Sequence, residues 1–237
     1  MPYTIDICLT PELIHQYELE EKVVVVVDIL RATSCMVTGI ASGVEQIMPV
    51  STVEECIALK ALDFLTAAER NGQKVDGVDM GNSPFEYMAD AVKGQKVAVT
   101  TTNGTLAIHK SLMADEILIG AFLNLETLTN YLLQKQSDIV VVCAGWKGRF
   151  NLEDTLFAGA LSHQLKSKFE FAGDTPMAAE AMWLNLKNEL QSTLQQSAHA
   201  KRLAKMEVTK DIEFCAQLNT YQVIPKLFGE VLRNYQS

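Results

Sequence analysis

The chain has 237 residues, 48% of them hydrophobic and 21% charged, which is enough apolar material to bury a substantial core. Twenty Lys and Arg against 29 Asp and Glu give a formal net charge of -9, which disfavours nucleic acid and anionic membrane surfaces as partners. No apolar run approaches the roughly 20 residues that span a bilayer, and the opening Met1-Pro2-Tyr3-Thr4 lacks the basic and long apolar stretches of a signal peptide.

In chain order, Val23 to Leu30 is a β-branched run that reads as a central strand covered on both faces. Arg31-Ala-Thr-Ser-Cys opens a helix with Thr33 or Ser34 near its cap. Gln46 to Val50 is a short strand, and Ser51 or Thr52 caps a long predicted helix from Val53 to Arg70. Lys96 to Thr101 is a strand, Thr102 to Thr105 a turn, and Leu106 to Met113 a helix. Glu116 to Ile119 is a strand and Asn124 caps a helix from Leu125 to Gln134. Asp138 to Cys143 is a further strand, followed by a glycine-containing loop and a helix from Leu152 to Lys166. From about Asp174 the chain turns helical, through Met177 to Leu194, Ala198 to Lys205 and Asp211 to Leu218. The alternation predicts an α/β fold with a largely parallel or mixed sheet and a helical C-terminal region. The chain reads as one compact catalytic unit over 1–237; two similar α/β lobes, 1–125 and 126–237, are the alternative division.

Three strand ends carry unusual chemistry, and in open α/β sheets ligands bind beyond the carboxyl ends of strands. The first, Asp28-Ile-Leu-Arg31-Ala-Thr33-Ser34, sets a carboxylate, a guanidinium and two hydroxyls within seven residues. The second, Thr100-Thr-Thr102-Asn103-Gly104-Thr105, combines hydroxyls with a turn whose amides suit an anion. The third, Cys143-Ala-Gly145-Trp-Lys-Gly-Arg149-Phe-Asn-Leu-Glu153-Asp154, joins two cations to adjacent carboxylates in the first turn of a helix. Each also has a plain reading: Asp28 as a helix cap, Asn-Gly as a turn, and Glu153 and Asp154 as complements to a helix dipole. Two connecting segments add to the set. Glu69-Arg70-Asn71-Gly72 places an acid beside a base, and Asp79-Met-Gly-Asn82-Ser-Pro places a carboxylate before a turn in which Ser83 and Pro84 would open another helix.

Taken in order, Asp28-Ile-Leu-Arg-Ala-Thr, Glu69-Arg70, Asp79-Met-Gly-Asn-Ser-Pro, Thr100-Thr-Thr-Asn-Gly-Thr, Cys143-Ala-Gly with Gly148-Arg-Phe-Asn-Leu-Glu-Asp-Thr-Leu, and Ala198-His199 with Asp211-Ile-Glu-Phe-Cys resemble the 2-phosphosulfolactate phosphatases. The match runs from about residue 20 to 225. The resemblance implies Mg²⁺-dependent hydrolysis of (2R)-phosphosulfolactate to sulfolactate and phosphate, in the route to coenzyme M, on a fold outside the common phosphatase superfolds. Two positions depart from the family's pattern: Leu106 stands where an arginine is usual and Ala200 where glycine is usual. Loss of that arginine would weaken recognition of a second anionic group such as the sulfonate.

Hydrolysis of a phosphate monoester requires a neutralised dianion and a positioned nucleophile. The candidate catalytic residues are Asp28, Glu69, Arg149 and Glu153. Asp28, Asp79, Glu153 and Asp154 are the candidate Mg²⁺ ligands. Arg31, Arg70 and Arg149 would clamp the substrate's anionic oxygens, with Thr33, Asn82, Thr102, Asn103, Gly104 and Gly145 completing the substrate site. The nucleophile is a water or Asp28, although Asp28-Ile-Leu lacks the second aspartate of a DxD phosphatase. A rival is Cys143, five residues before Arg149 as in cysteine phosphatases. His199 is a candidate acid–base or supporting group. His15, His109 and His163 read as surface or cap residues, and Trp146 covers the site or packs.

The remaining cysteines, Cys8, Cys35, Cys56 and Cys215, form no CxxC pair, which argues against a disulfide framework or zinc site and fits a reducing cytoplasm. A non-catalytic module binding a phosphorylated metabolite is the alternative from another class. It would keep the arginines without needing so many strand-end carboxylates. There is no GxxxxGK[ST] loop and no GxGxxG fingerprint to hold a nucleotide. The expected partner is a small anionic phosphate, with no nucleic acid or membrane, and a homo-oligomer is compatible with the sequence.

Overall fold

Five consecutive valines, Val23–Val27, form strand β2 and are all fully or almost fully buried. Only a strand covered on both faces tolerates such a run. In the computed structural model, which describes residues 2–204 and 209–235, β2 lies near the middle of an eleven-stranded sheet built from the described residues. Lys205, where one predicted helix ends, lies outside them.

The other strands are β1 (Tyr3–Cys8), β3 (Gln46–Pro49), β4 (Phe64–Arg70), β5 (Gln73–Lys74), β6 (Lys96–Thr100), β7 (Glu116–Gly120), β8 (Ile139–Cys143), β9 (Phe169–Phe171), β10 (Pro225–Phe228) and β11 (Val231–Asn234). Their order is β5-β4-β6-β3-β11-β10-β7-β2-β8-β1-β9. Strands β7, β2, β8, β1 and β9 form one parallel block, and β4, β6 and β3 another. The β10–β11 hairpin joins them through antiparallel pairings, with one register pair to β7 and one to β3. Following the directions across that hairpin, the two blocks run in opposite senses. In a flat sheet their carboxyl ends would lie on opposite edges, yet the loops after β2 and β6 are in contact. A Cβ added to Gly104 would lie 2.6 Å from Ala32 Cβ and 2.9 Å from Asp28 Oδ2. The sheet therefore turns at the thinly paired hairpin and brings the two sets of strand ends together. Residue 125 does not separate two sheets, because β2 pairs with β7 on one side of that position and with β8 on the other.

Helices α1 (Ala32–Ala41), α2 (Val53–Ala58), α3 (Gly104–Lys110), α4 (Leu125–Leu132), α5 (Leu152–Leu165), α6 (Asp174–Leu186), α7 (Leu190–Gln196), α8 (Ala198–Ala204) and α9 (Thr209–Cys215) follow or flank the strands. The mixed α/β class and the helical C-terminal region agree with the sequence reading, and no described helix is long and apolar enough to cross a membrane.

The largest correction concerns one predicted helix. The helix expected from Val53 to Arg70 begins as drawn, with Thr52 and Glu55 forming a capping box. It stops at Ala58, passes through a tight 3₁₀ turn over Leu59–Leu62, and breaks at Asp63 in the left-handed conformation, φ 59°. Phe64–Arg70 is then strand β4, parallel to β6. Ala67 and Ala68 favour a helix in isolation, and pairing with β6 overrides that preference. Glu69 and Arg70 thus stand at the carboxyl end of a strand. Similarly, Ser83 and Pro84 lead into a short 3₁₀ turn at Glu86–Met88 rather than an α-helix. Asn124 does not accept from the start of α4. Its side chain instead accepts from the Ala121 N–H and donates to the carbonyls of Ile119 and Val223.

Candidate active site

A cavity of about 230 Å³ opens where the loops after β2, β4, β6 and β8 meet α8. The buried residues Asp28, Leu30 and Arg31 after β2 and Glu69 at the end of β4 form its floor, with Asn71 and Gly72 beside them. Asn82, Asn103 and Trp146 line its sides, and His199, Arg202 and Leu203 of α8 complete the lining. A larger hollow of about 620 Å³ near α2 and β10 is mostly apolar, and its Glu55 carboxylate is already engaged in the capping box. The smaller cavity is where charge converges.

Backbone bonding fixes the β2 corner. Thr33 donates its N–H to the Asp28 carbonyl at 3.0 Å, and its hydroxyl accepts from the Asp28 N–H at 2.9 Å. Ser34 Oγ donates to the Ile29 carbonyl. These hydroxyls fasten the strand–helix corner; Thr33 does not line the cavity, and neither residue caps α1. Gly104 is required by close approach, since any side chain there would collide with Ala32 and the Asp28 carboxylate.

Asp28 is 7% exposed. Burial pushes its carboxyl up to about 6; nearby Glu69 and Glu153 add to the rise, and His199 opposes it. Glu69 accepts from the Gly72 N–H and, at 3.5 Å, from Thr102 Oγ1. Glu153, on α5, is 1% exposed. Its Oε1 accepts a 2.6 Å hydrogen bond from His199 Nδ1, while Oε2 is buried with no partner among the described residues. Because a carboxylate only accepts, Nδ1 carries the proton and Nε2 is the free ring nitrogen. Asp154 accepts from the N–H groups of Ile29 (2.9 Å) and Gly145 (3.1 Å), clipping the loops after β2 and β8 together. Its carboxyl is held well above the usual range by burial and by the charges of Glu153 and Asp28.

Arg31 is 4% exposed and was read from the sequence as a free clamp. Its Nη1 is paired to Asp211 of α9, its Nη2 donates to the Gly72 carbonyl at 3.3 Å, and its Nε has no partner among the described residues. Ser83 Oγ donates to the other Asp211 oxygen. Asn82 Oδ1 is another buried atom without a partner.

Several expected residues are not brought in. Asp79 lies away from the cavity, where Lys60 Nζ at 2.9 Å and the Thr66 N–H and hydroxyl occupy its carboxylate. Arg70 turns back on the Glu69 carbonyl and Thr100 Oγ1. Arg149 is exposed in a tight turn whose backbone bonds pair it with Trp146. Gly145 holds that loop, with φ 56° and no room for a Cβ, 2.6 Å from the Arg149 carbonyl oxygen. Thr102 reaches the site through Glu69. Leu106 is on α3, away from the cavity lining, and Ala200 is buried. Cys143 is fully buried, and its thiol is pushed well above the usual range by burial and by Asp154. A thiol nucleophile needs its pKa depressed, and burial here acts in the opposite direction.

Asp211 and Arg202 are contributions the residue-by-residue reading did not assign; Trp146, expected to cover the site or pack, is in the cavity lining. Arg202 Cζ sits 4.6 Å above the Trp146 ring, and its Nη2 is buried without a partner among the described residues.

Among the described residues no group of three or more His, Cys, Asp and Glu side chains is placed to hold a metal by itself. Asp79 stands apart from the other expected ligands, its carboxylate engaged by Lys60 and Thr66. Asp28, Glu153, Asp154 and Glu69 lie near one another, mutually repelling and mostly buried, with Asp154 accepting from two backbone amides and one free oxygen on Glu153. That set fits a hard divalent cation that takes one or two carboxylates and completes its shell with substrate oxygens.

Comparison with known proteins agrees with the ordered motifs. The family described as 2-phosphosulpholactate phosphatase matches residues 8–230. A protein of Caldanaerobacter subterraneus named "Probable 2-phosphosulfolactate phosphatase" is 40% identical, over 94% of this chain and 95% of its own. Proteins of the same name from Thermotoga maritima and Clostridium acetobutylicum are 41% and 34% identical, over 90% and 96% of this chain and 92% and 99% of their own. A match of that extent means that the chain belongs to the 2-phosphosulfolactate phosphatase family, a family of phosphoric monoester hydrolases.

Proposed function

We propose that this chain hydrolyses (2R)-phosphosulfolactate to sulfolactate and phosphate, with Mg²⁺ as cofactor. The observation that carries the reading is the cavity itself. Carboxylates from both parallel blocks converge there with the guanidiniums of Arg31 and Arg202; three buried polar atoms of the lining, Arg31 Nε, Asn82 Oδ1 and Arg202 Nη2, have no partner among the described residues, and neither has Glu153 Oε2, whose other oxygen accepts from the lining residue His199. Buried polar groups are rarely left unpaired, so the arrangement supports a polar, multiply charged ligand small enough for about 230 Å³. Because both blocks supply residues, we read the whole chain as one catalytic unit.

Asp28 and Glu153 would hold the Mg²⁺. When bound, the ion neutralises phosphate oxygens and acidifies an attacking water. Arg31, kept in place by Asp211, binds the phosphoryl group through its unpartnered edge. Glu69 and Asn82 orient the reacting groups from the floor and side. His199, its Nδ1–H fixed on Glu153, presents the free Nε2, which takes a proton from the attacking water and returns it to the oxygen that leaves when the P–O bond breaks. Trp146 and Leu203 keep bulk water out.

The test is phosphate release from 2-phosphosulfolactate by wild type and Cys143→Ser. Release that needs Mg²⁺, stops with EDTA and changes less than about 3-fold in Cys143→Ser is expected, as a surface or core swap outside the chemistry allows. Release that ignores EDTA and is lost in Cys143→Ser would overturn the metal reading in favour of a thiol nucleophile. No release from wild type would leave the phosphometabolite-binding module.

A further inference from the structure

The cavity holds two guanidiniums in different states. Arg31 is compensated by Asp211 in the floor. Arg202 has no carboxylate within salt-bridge distance among the described residues, and it is stacked on Trp146 with Nη2 buried and unpartnered. Stacking on an indole fixes the plane of a guanidinium and leaves its N–H edge free for oxygens lying in that plane. Asp28, Glu69 and Arg31 are the charged residues of the lining that are almost fully buried, at 7%, 6% and 4% exposed, and the reacting phosphoryl group belongs among them. Arg202 and Trp146 are both only partly buried and stand at the mouth, where the non-reacting end of a short substrate lies.

Resting on the function proposed above, we infer that Arg202, oriented by Trp146, is the specificity residue that binds the substrate's sulfonate. Two or three sulfonate oxygens meet the guanidinium edge, including the buried Nη2–H. A substrate that ends in a methyl group leaves that donor unpaired, and a site built to hydrogen-bond an absent group rejects the analogue strongly. Arg202 takes no part in bond breaking. Its removal is expected to weaken the hold on the sulfonate end of the substrate.

The experiment is calorimetric binding of sulfolactate, lactate and inorganic phosphate, each with Mg²⁺, to wild type, Arg202→Gln and Trp146→Leu, with thermal unfolding to verify folding. Arg202→Gln is expected to weaken sulfolactate by about 30-fold, in the range for a charge-assisted hydrogen bond. Lactate and phosphate should change by less than about 3-fold, and Trp146→Leu should weaken sulfolactate in the same direction by about 5-fold. Equal losses for phosphate or for lactate would assign Arg202 to the phosphoryl group or the carboxylate and overturn the inference. Unchanged sulfolactate binding, or no sulfolactate binding by wild type, would overturn it as well. Wild type that binds sulfolactate through Arg202 but releases no phosphate from 2-phosphosulfolactate would sink the proposed hydrolysis alone. Hydrolysis without any dependence of sulfolactate binding on Arg202 would sink this inference alone.

Discussion

Asp28→Asn is expected to lower phosphate release by about 10³-fold, the scale of removing a group that acts directly at the reacting centre, while the metal-free protein becomes more stable near neutral pH. The second effect follows from burial. The Asp28 carboxyl sits near 3.8 in a solvated chain and is pushed up to about 6 in the fold. Between those values the folded state holds more protons than the unfolded state, so stability falls as pH rises through that window. The corresponding cost at pH 7 is about 3 kcal/mol at most. An asparagine carries no such charge. Urea unfolding in EDTA should therefore show Asp28→Asn gaining on wild type from pH 4 to pH 7, with the difference vanishing toward pH 4. A variant that is inactive but equally sensitive to pH would mean that Asp28 is not the strained carboxyl of the cavity.

Asp211→Ala is the second large effect. It strips the partner from Arg31, a guanidinium buried in the floor, and breaking one side of a buried pair costs about 3–5 kcal/mol. The same change frees Ser83 Oγ, which loosens the turn that presents Asn82. The expected outcome is a lower denaturant midpoint together with a raised KM for the phosphate ester, because Arg31 loses its fixed position. Arg31→Met should be milder in stability, since Asp211 then retains the Ser83 hydrogen bond, and at least as severe in substrate binding. Asp211→Ala that left both stability and KM unchanged would remove Arg31 from the binding role given to it.

Much of this site was legible because its chemistry is local in sequence. Five valines followed by Asp-Ile-Leu-Arg announce a buried strand with a reactive end, and the segments around Asn103 and Glu153 follow strands in the same way. The class of fold and the family followed from that order. What was not legible depends on contacts between distant segments. Arg31 and Asp211 are 180 residues apart, and nothing near either one shows that they pair. Asp79 stands in a motif-like segment, yet Lys60 and Thr66 occupy its carboxylate, and that depends on the strand path of β4. That strand was read as helix, because its alanines and the acid that follows them favour one until β6 pairs with them. Arg202 carried no signal beyond being one of few arginines, since its meaning comes from Trp146, 56 residues earlier in the chain. The β10–β11 hairpin had a readable cue in Phe228-Gly229-Glu230-Val231, where Gly229 takes a left-handed turn position. No element was assigned beyond Leu218, so the hairpin went unread.

The most direct test of the account is a Mg²⁺ titration of phosphate release from 2-phosphosulfolactate, after EDTA treatment, with wild type, Glu153→Gln and Asp79→Asn. Wild type and Asp79→Asn should recover together at the same Mg²⁺ concentration. Glu153→Gln should need at least about 10-fold more Mg²⁺ or fail to recover, as expected when one of two carboxylate ligands is lost. Recovery of Glu153→Gln at the wild-type concentration, with Asp79→Asn the variant that fails, would place the metal outside the cavity and contradict the account.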